Sequence, residues 1–382
     1  MAEALDQLVM SRHVLVVVGA GGVGKTTTAA ALGVAAARRG RRVLCLTIDP
    51  AKRLAQALGL ESMMGEEQVV ADPYIPQGAS PRGSLTAMML DPSATFDELV
   101  LKYSPSPERA RKLLGNKLYQ YVSRSLAGTQ EYMAMEKLVS VQKDPRFDLV
   151  ILDTPPTTNA LDFLDAPERL VEALDSAAIR WFVQAFQSTG KLSLNLLARS
   201  AVVVLRGLGR ITGGGFLEAM AEFITELNDL FGGFRERAKI VEAALRSPEV
   251  SFVLATSPAP MSIQEVVFFS DRLEAYQMPR GAFVVNRFRL PPPLADAAPT
   301  PDEVAGAVAA HGLVLDDDAP ARLVQAHADA VRLAALDAMH VRALEDRAKG
   351  KVPVVRIPEL SSDVHDLEGL GKLSAMLMGG GV

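Results

Sequence analysis

The sequence predicts an α/β fold in which a mostly parallel, doubly wound sheet carries an inserted helical subdomain. Short apolar runs rich in β-branched residues recur along the chain between helix-like segments. The runs are continuous rather than alternating, which indicates strands that are covered on both faces, as in a parallel sheet. The predicted strands span residues 13–18, 42–48, 84–90, 147–153, 251–256, 281–286 and 351–357.

The first two strands and the segment between them form the clearest unit. That segment, TTTAAALGVAAARRG, is rich in alanine, has Arg38 and Arg39 in its last turn and ends at Gly40, where a helix would stop. A strand, a helix and a second strand in this order predict a right-handed crossover.

Two stretches of the chain, 91–146 and 162–250, are too long to be loops. They repeat apolar residues at intervals of three and four, which is typical of amphipathic helices. We therefore predict two domains, each formed by separate parts of the chain. The sheet domain comprises 1–90, 147–161 and 250–382, and the helical subdomain comprises 91–146 and 162–249.

Three further segments have distinct compositions. Residues 65–83 contain several glycines and prolines and are predicted to form a surface loop. Residues 291–301 hold five prolines, which predicts a stiff, extended connector. Residues 319–349 are predicted to form a long helix before the last strand.

The composition argues for a globular protein and against several other classes. Over 382 residues, 49% are hydrophobic and 22% are charged, which argues against disorder, collagen and coiled coil. The net charge of -5 gives no reason to expect nucleic acid or anionic lipid as a partner. No charge-free apolar window is long enough to cross a bilayer, and the first residues lack a signal-peptide pattern. We therefore expect a cytoplasmic protein without stable membrane insertion.

A phosphate-binding motif lies between the first predicted strand and the first predicted helix. The segment GAGGVGKT follows the pattern G-x-x-x-x-G-K-[ST] in the context that this motif requires, which predicts the sheet of a P-loop NTPase. Lys25 would place a catalytic charge on the β and γ phosphates, and Thr26 would offer a hydroxyl to Mg²⁺. The predicted nucleotide-binding residues of the loop are Gly19, Ala20, Gly21, Gly22, Val23, Gly24, Lys25 and Thr26.

Two aspartates follow predicted strands on the edge of the sheet that carries this loop. Asp153 ends the run FDLVILD and would reach Mg²⁺ from a neighbouring strand, either directly or through water. Asp49 follows the second strand in TIDPAKRL. Either residue alone could be a turn residue, since aspartate is common in turns. Their occurrence together beside a phosphate loop favours a nucleotide site.

Six motifs, in this order, resemble those of the arsenite-pump ATPase family, which also contains the targeting ATPases for tail-anchored membrane proteins. The resemblance covers most of the chain and is therefore more specific than the phosphate loop alone. It implies a dimeric, Mg²⁺-dependent ATP switch of the broader class that includes the partition and division-site ATPases. The motifs are GAGGVGKTTTAAAL, IDPAKRLAQAL, LTAMMLDPSATFDEL, AGTQEYMAMEKL, DLVILDTPPTTNALDFL and FVVNRF.

The resemblance also implies roles for individual residues. Asp49 would be catalytic and would position or deprotonate the attacking water, and Asp153 would open the second switch, which links the nucleotide state to the helical subdomain. Thr27 would contact the α-phosphate. Asn286 would recognise the adenine edge, and Pro358 would belong to the segment that covers the base.

The chain departs from the family pattern around the nucleotide. The usual loop is G-K-G-G-x-G-K-T, in which the first lysine reaches across the dimer to the partner's nucleotide, and this chain has Ala20 in its place. Lys52 or Arg53, at the first switch, could supply a charge in cis, although most lysines and arginines are simply solvated. The usual T-G-H-T after the second switch is replaced by TTNA at 157–160.

Cys45 is the single cysteine and lies in an apolar run, so it cannot form an internal disulfide or a CxxC pair. Arsenite pumps need a cluster of thiols, and many of the targeting ATPases hold zinc between subunits with a CxxC motif. A lone cysteine in an apolar strand is more often a small core residue. The sequence therefore supports neither an arsenite site nor a zinc site.

The segment 181–217 is unusually apolar for a region with several glycines. It could bind a hydrophobic client helix, as the insert of the targeting ATPases does. Alternatively, its side chains could form the core of the subdomain or a dimer contact.

The leading hypothesis is that the chain is an ATPase that binds ATP and Mg²⁺. Hydrolysis of ATP would open and close a dimer and so alter a binding site for a client. The partner would be a second copy or a related ATPase subunit. The alternative is a slow-turnover, ATP-dependent scaffold subunit in a heterodimer with a lysine-bearing relative, because Ala20 removes the trans lysine. A positioning ATPase that cycles on a membrane or on the nucleoid would need a basic amphipathic tail or a basic surface, and the sequence contains neither pattern.

Overall fold

The described part of the chain alternates between strands and helices. The computed structural model describes residues 2–49, 53–60, 65–72, 74–75, 83–116, 119–120, 129–154, 165–166, 172, 223, 236–314 and 316–379. The strands are β1 (Val14–Gly19), β2 (Arg42–Thr47), β3 (Gln68–Val69), β4 (Ser84–Met89), β5 (Leu149–Asp153), β6 (Val250–Thr256), β7 (Arg280–Phe288) and β8 (Val354–Pro358). The helices are α1 (Ala2–Ser11), α2 (Lys25–Arg38), α3 (Arg53–Ala57), α4 (Pro92–Tyr103), α5 (Pro107–Leu114), α6 (Thr129–Val141), α7 (Pro260–Ala275), α8 (Pro301–Ala310), α9 (Ala319–Ala348) and α10 (Leu367–Leu377).

These strands form one mostly parallel sheet in the order β3-β4-β2-β5-β1-β6-β7-β8, which confirms the predicted fold class. Every neighbouring pair is parallel except β3 with β4. Because β5 lies between β2 and β1, the carboxyl ends of three strands meet at one place. There Asp153 is in register with Thr47 on one side and with Val17 on the other.

Each of the seven predicted strands is present, and β3 is an additional one. Its two residues lie within 65–83, which the glycines and prolines predicted to be a loop, and they pair antiparallel with Thr86 and Ala87 of β4. A two-residue edge strand leaves too short a pattern to be predicted from sequence.

Helices cover both faces of the sheet, as expected for a doubly wound fold. Alternate residues of each strand enter two separate cores, one with α1, α2 and α10 and the other with α4, α6 and α7. In α2, Gly33 allows close contact with β2, because a Cβ there would lie 2.5 Å from Sγ of Cys45. The Cys45 thiol is buried in this core.

The proline-rich segment 291–301 differs from the prediction of an extended connector. Residues 293–296 form turns, with Leu294 at a φ of 61° and its carbonyl accepting from the N–H of Ala297. The segment then enters α8, where Thr300 and Glu303 form a reciprocal capping box. Prolines fix φ without preventing turns, and Pro301 begins a helix, where its missing N–H costs nothing. The predicted long helix 319–349 is confirmed as α9.

The main described parts of the predicted helical subdomain are α4, α5 and α6 and a helical stretch at 236–245. Arg237 of that stretch forms an ion pair with the buried carboxylate of Glu136 on α6. Most of 162–235 lies outside the described residues, so the domain boundaries stay a prediction. None of the described helices is long and apolar enough to cross a membrane.

Candidate nucleotide-binding site

The phosphate loop connects β1 to α2, and two of its glycines are required by their surroundings. Gly24 is the N-cap that precedes α2, with a φ of 92° in the left-handed region, and a Cβ there would lie 2.2 Å from Nδ2 of Asn286. At Gly19 a Cβ would lie 2.1 Å from the carbonyl oxygen of Ala255 in β6. Gly24 offers no side chain to cap α2, so the N–H groups of the first turn face the loop as anion donors.

Lys25 is a buried cation at the first position of α2. Its Nζ donates to the carbonyl oxygen of Ala20 at 2.8 Å. Burial lowers the pKa of Lys25, while the negative charges of Asp153 and Asp49 act in the opposite direction. An anionic ligand in the loop would stabilise the ammonium charge that burial disfavours.

Asp153 joins the phosphate loop to the end of β2. The hydroxyl of Thr26 donates to Oδ2 of Asp153 at 2.8 Å, and the hydroxyl of Thr47 donates to the same oxygen at 3.0 Å. Burial raises the pKa of Asp153 to about 6, although the two hydroxyls and the charge of Lys25 lower it. The other oxygen, Oδ1, is buried without a hydrogen-bond partner.

The buried oxygen of Asp153 and the neighbouring Thr26 hydroxyl fit Mg²⁺. This hard cation binds one or two protein oxygens and completes its shell with water and substrate phosphates. In the part of the chain that the structure describes, no group of three or more His, Cys, Asp or Glu side chains could hold a metal ion. Mg²⁺ at this place would therefore depend on nucleotide phosphates for much of its shell.

A cavity of about 420 Å³ opens in front of the loop and brings the other predicted phosphate-side residues together. Lys25, Thr26 and Thr27 line one side, with Asp49 next to them. Asp49 is only 8% exposed, and its N–H donates to the hydroxyl of Thr47 at 3.2 Å. A chain of contacts therefore runs from Asp49 through Thr47 to the carboxylate that also binds Thr26.

Asn286 and Pro358 line a second cavity of about 240 Å³, together with Gly24 and Thr27 of the loop. The two cavities therefore adjoin. Asn286 also holds the loop itself, since its Nδ2 donates to the carbonyl oxygen of Val23 at 3.1 Å. The family resemblance implied that Asn286 contacts the base and gave no sign of this loop contact, which depends on the strand order β1-β6-β7.

Three features of the site were not predicted. Thr47 is a strand-end threonine whose role depends on its register with Asp153. Arg287 lines both cavities, and the segment after β8 contributes Asp363 and His365 to the larger one. Such residues carry no motif of their own, and the strand order that brings them together is a property of the folded chain.

The remaining residues that the sequence analysis singled out are Ala20 and Arg53, which the structure describes, and several others that lie outside the described ranges. Arg53 begins α3, is exposed and lines the larger cavity beside Asp49, so it is a cation near the predicted phosphates. Ala20 packs against the core that contains α2. The remaining segments of interest, which are Lys52, 157–160 and 181–217, lie outside the described residues.

The chain is similar in sequence to known ATPases. A family model described as anion-transporting ATPase matches residues 12–300. Among curated proteins, a protein named ATPase GET3 from Malassezia globosa is 26% identical, over 94% of this chain and 89% of its own length. ATPase get3 of Pyrenophora tritici-repentis is 24% identical, over 72% of this chain and 73% of its own. ATPase GET3 of Phaeosphaeria nodorum is 25% identical, over 72% of this chain and 76% of its own length.

Proposed function

We propose that this chain, which belongs to the anion-transporting ATPase family, is a Mg²⁺-dependent switch that couples the state of its bound nucleotide to a helical partner-binding region. Family membership makes the chain an ATPase and confirms the resemblance carried by its six motifs. The proposal adds which residues act on the nucleotide and how its state reaches the rest of the molecule.

The observation that carries the proposal is the shared oxygen of Asp153. Oδ2 accepts from Thr26 in the phosphate loop and from Thr47, and Thr47 in turn accepts from the N–H of Asp49. If a ligand draws the Thr26 hydroxyl away from Asp153, the Asp153 carboxylate loses one of its two hydrogen-bond donors. The ends of β5 and β2, which carry Asp153 and Thr47, then change their environment. This arrangement supports coupling of the loop to the first switch, which starts at Asp49, and to the second, which starts at Asp153.

Within this proposal each side chain has a defined task. Lys25 binds the β and γ phosphates, and Thr26 and Asp153 hold Mg²⁺, with Asp153 acting directly or through water. When bound, Mg²⁺ would neutralise charge that develops on the phosphates. Asp49 orients the attacking water and accepts its proton, a task for which a mostly buried carboxylate beside the phosphate cavity is suitable.

The smaller cavity is proposed to hold the base. Asn286 would recognise the adenine edge, Pro358 would cover the ring, and Thr27, which lines both cavities, would contact the α-phosphate. The adjoining cavities support this division, because a nucleoside triphosphate needs a polar, cationic space for its phosphates next to a separate space for its base.

The quaternary part of the proposal follows from the resemblance to the tail-anchor targeting ATPases. We propose that the chain acts in the cytoplasm as a homodimer, or as a heterodimer with a related subunit, and that its helical region binds a hydrophobic client. Ala20 favours one further candidate, a slow-turnover scaffold subunit that needs a lysine-bearing partner. Arg53, which lines the same cavity, is the described residue of the first switch that could replace the missing charge in cis.

Two measurements on the purified chain test the proposal. Phosphate release in the presence and absence of Mg²⁺ reports turnover, and light scattering after gel filtration with no nucleotide, ADP or a slowly hydrolysed ATP analogue reports association. We expect Mg²⁺-dependent turnover and a larger dimer fraction with the analogue. A mass that does not respond to nucleotide, at concentrations that saturate the site, would contradict the switch.

A further inference from the structure

Arg287 has an unusual backbone for its position. Its φ is 56°, in the left-handed region, although it lies inside strand β7. The three other described non-glycine residues with positive φ lie outside strands, where turns and helix ends favour this conformation. They are Gln277 after α7, Leu294 in a turn, and Lys349 at the C-terminus of α9.

The local cause is an irregularity in the pairing of β7 with β8. The register between these strands shifts between Val285 and Phe288, so Arg287 lies in a bulge. A bulge residue in the left-handed conformation is normally glycine, because a side chain there clashes with its own backbone. Bulges of this kind often lie next to active sites, where they redirect a side chain. An arginine that keeps this conformation is therefore a candidate for function.

Arg287 lies where the two cavities adjoin. It lines the larger cavity, which contains Lys25, and the smaller cavity, which contains Asn286. Its guanidinium forms no ion pair with a described residue, whereas Arg289, two residues later, pairs with Asp337 and Glu359. The Arg287 guanidinium is thus exposed and has no ion-pair partner in the described part of the chain, while the backbone N–H of this residue donates to Oδ1 of Asn286 at 3.0 Å.

We propose that the Arg287 guanidinium binds the phosphate group nearest the ribose of the nucleotide. This inference rests on the proposed function, since it assumes that the β and γ phosphates lie at Lys25 and the base lies at Asn286. A ligand that spans both cavities must pass their junction with its α-phosphate and ribose. A guanidinium binds phosphate oxygens through two parallel donors, which suits a cation at that place.

Replacement by glycine separates this role from a structural one. Arg287→Gly removes the guanidinium and relieves the backbone, so the melting temperature should stay the same or rise by about 1–2 °C. Affinity for ATP and for ADP should fall by the same factor, about 10- to 100-fold, because both nucleotides carry the α-phosphate. A residue with only a structural role would not lose ligand affinity while keeping its stability.

Two matched variants complete the design. Arg287→Asn keeps a residue that tolerates the left-handed backbone, so it should lose the same affinity as Arg287→Gly. Arg289→Gln removes a neighbouring arginine whose partner Asp337 is buried, so it should lower the melting temperature and change nucleotide affinity less than twofold.

The measurement is titration of fluorescent ATP and ADP analogues into each variant, with Lys25→Ala in the same series. Equal losses for both nucleotides in both Arg287 variants would support the inference. Affinity within twofold of the wild type, loss in Arg287→Gly alone, or loss for ATP alone would overturn it. If the wild type binds no nucleotide, or Lys25→Ala binds as tightly as the wild type, the proposed function itself fails.

Discussion

Thr26 and Thr47 donate their hydroxyl hydrogens to the same oxygen atom, Oδ2 of Asp153, at 2.8 and 3.0 Å. One threonine lies in the phosphate loop and the other at the end of β2. They meet because β5 lies between β1 and β2, so that Asp153, the last residue of β5, lies next to the ends of both strands. A change at the loop is therefore one hydrogen bond away from Asp153, where the second predicted switch begins, and two hydrogen bonds away from Thr47, just before the first.

Lys25→Ala should abolish turnover and weaken ATP binding by at least about 100-fold. The loss reflects two or more charge-assisted hydrogen bonds to phosphate, each of which contributes about 1.5–3 kcal/mol. The fold should be retained, because burial already disfavours the charge of Lys25. Isothermal titration with ATP and a phosphate-release assay check this, with the exposed Lys372→Ala as the control. Wild-type affinity in Lys25→Ala would refute the assignment of the loop.

Asp49→Asn should keep ATP binding within a few-fold and lower turnover by about 10²- to 10⁴-fold. The amide can hold a water molecule but cannot take its proton. The backbone N–H that donates to Thr47 is unchanged, so the contact with the first switch remains. Asp363→Asn removes a carboxylate from the rim of the same cavity and controls for the change in local charge. Loss of ATP binding in Asp49→Asn would instead indicate a role in holding the ligand.

Ala20→Lys should raise turnover of the isolated protein at least tenfold if two chains close on each other as in the family. A cation on the developing charge of phosphoryl transfer contributes roughly 10³- to 10⁵-fold where it has been supplied by an arginine. Mixing the wild type with a lysine-bearing relative should stimulate it in the same way. Arg53→Gln tests the alternative, since Arg53 lines the same cavity. If Arg53 already supplies the charge, Arg53→Gln lowers turnover and Ala20→Lys has little effect.

Stability of the metal-free protein should depend on pH through Asp153. Its pKa is raised to about 6 from an ordinary value of 3.8, chiefly by burial. The folded state therefore holds this proton more tightly than the unfolded state, and the stabilising contribution is lost as the pH rises through about 6. Between pH 4.5 and 7.5 the wild type should lose about 2 kcal/mol relative to Asp153→Asn. Urea unfolding in the presence of a chelator measures this difference, and parallel pH curves for the two proteins would contradict it.

The sequence was sufficient to predict features that depend on local pattern. The apolar runs predicted the strands, and the glycine pattern with Lys25 predicted the loop and its place between β1 and α2. Contacts between distant segments were not predictable in this way. The donation from Thr47 to Asp153 depends on strand register, and the Asn286 contact with Val23 depends on strand order. The bulge at Arg287 depends on the pairing of β7 with β8, and the sequence of neither strand has a pattern that predicts it.

The central claim is that nucleotide binding at the phosphate loop changes the conformation of both switches through the hydrogen bonds of Asp153. Hydrogen exchange with and without a slowly hydrolysed ATP analogue and Mg²⁺ tests it most directly, in the wild type and in Thr47→Val. Thr86→Val, a buried threonine on β4, is the matched control.

We expect the analogue to slow exchange in three segments of the wild type: 19–28, 47–60 and 150–160. In Thr47→Val, protection should persist at 19–28 and decrease at 47–60, because the hydroxyl that joins β2 to Asp153 is gone, while Thr86→Val should behave as the wild type. Protection confined to 19–28 in the wild type, or unchanged protection of 47–60 in Thr47→Val, would contradict the claim.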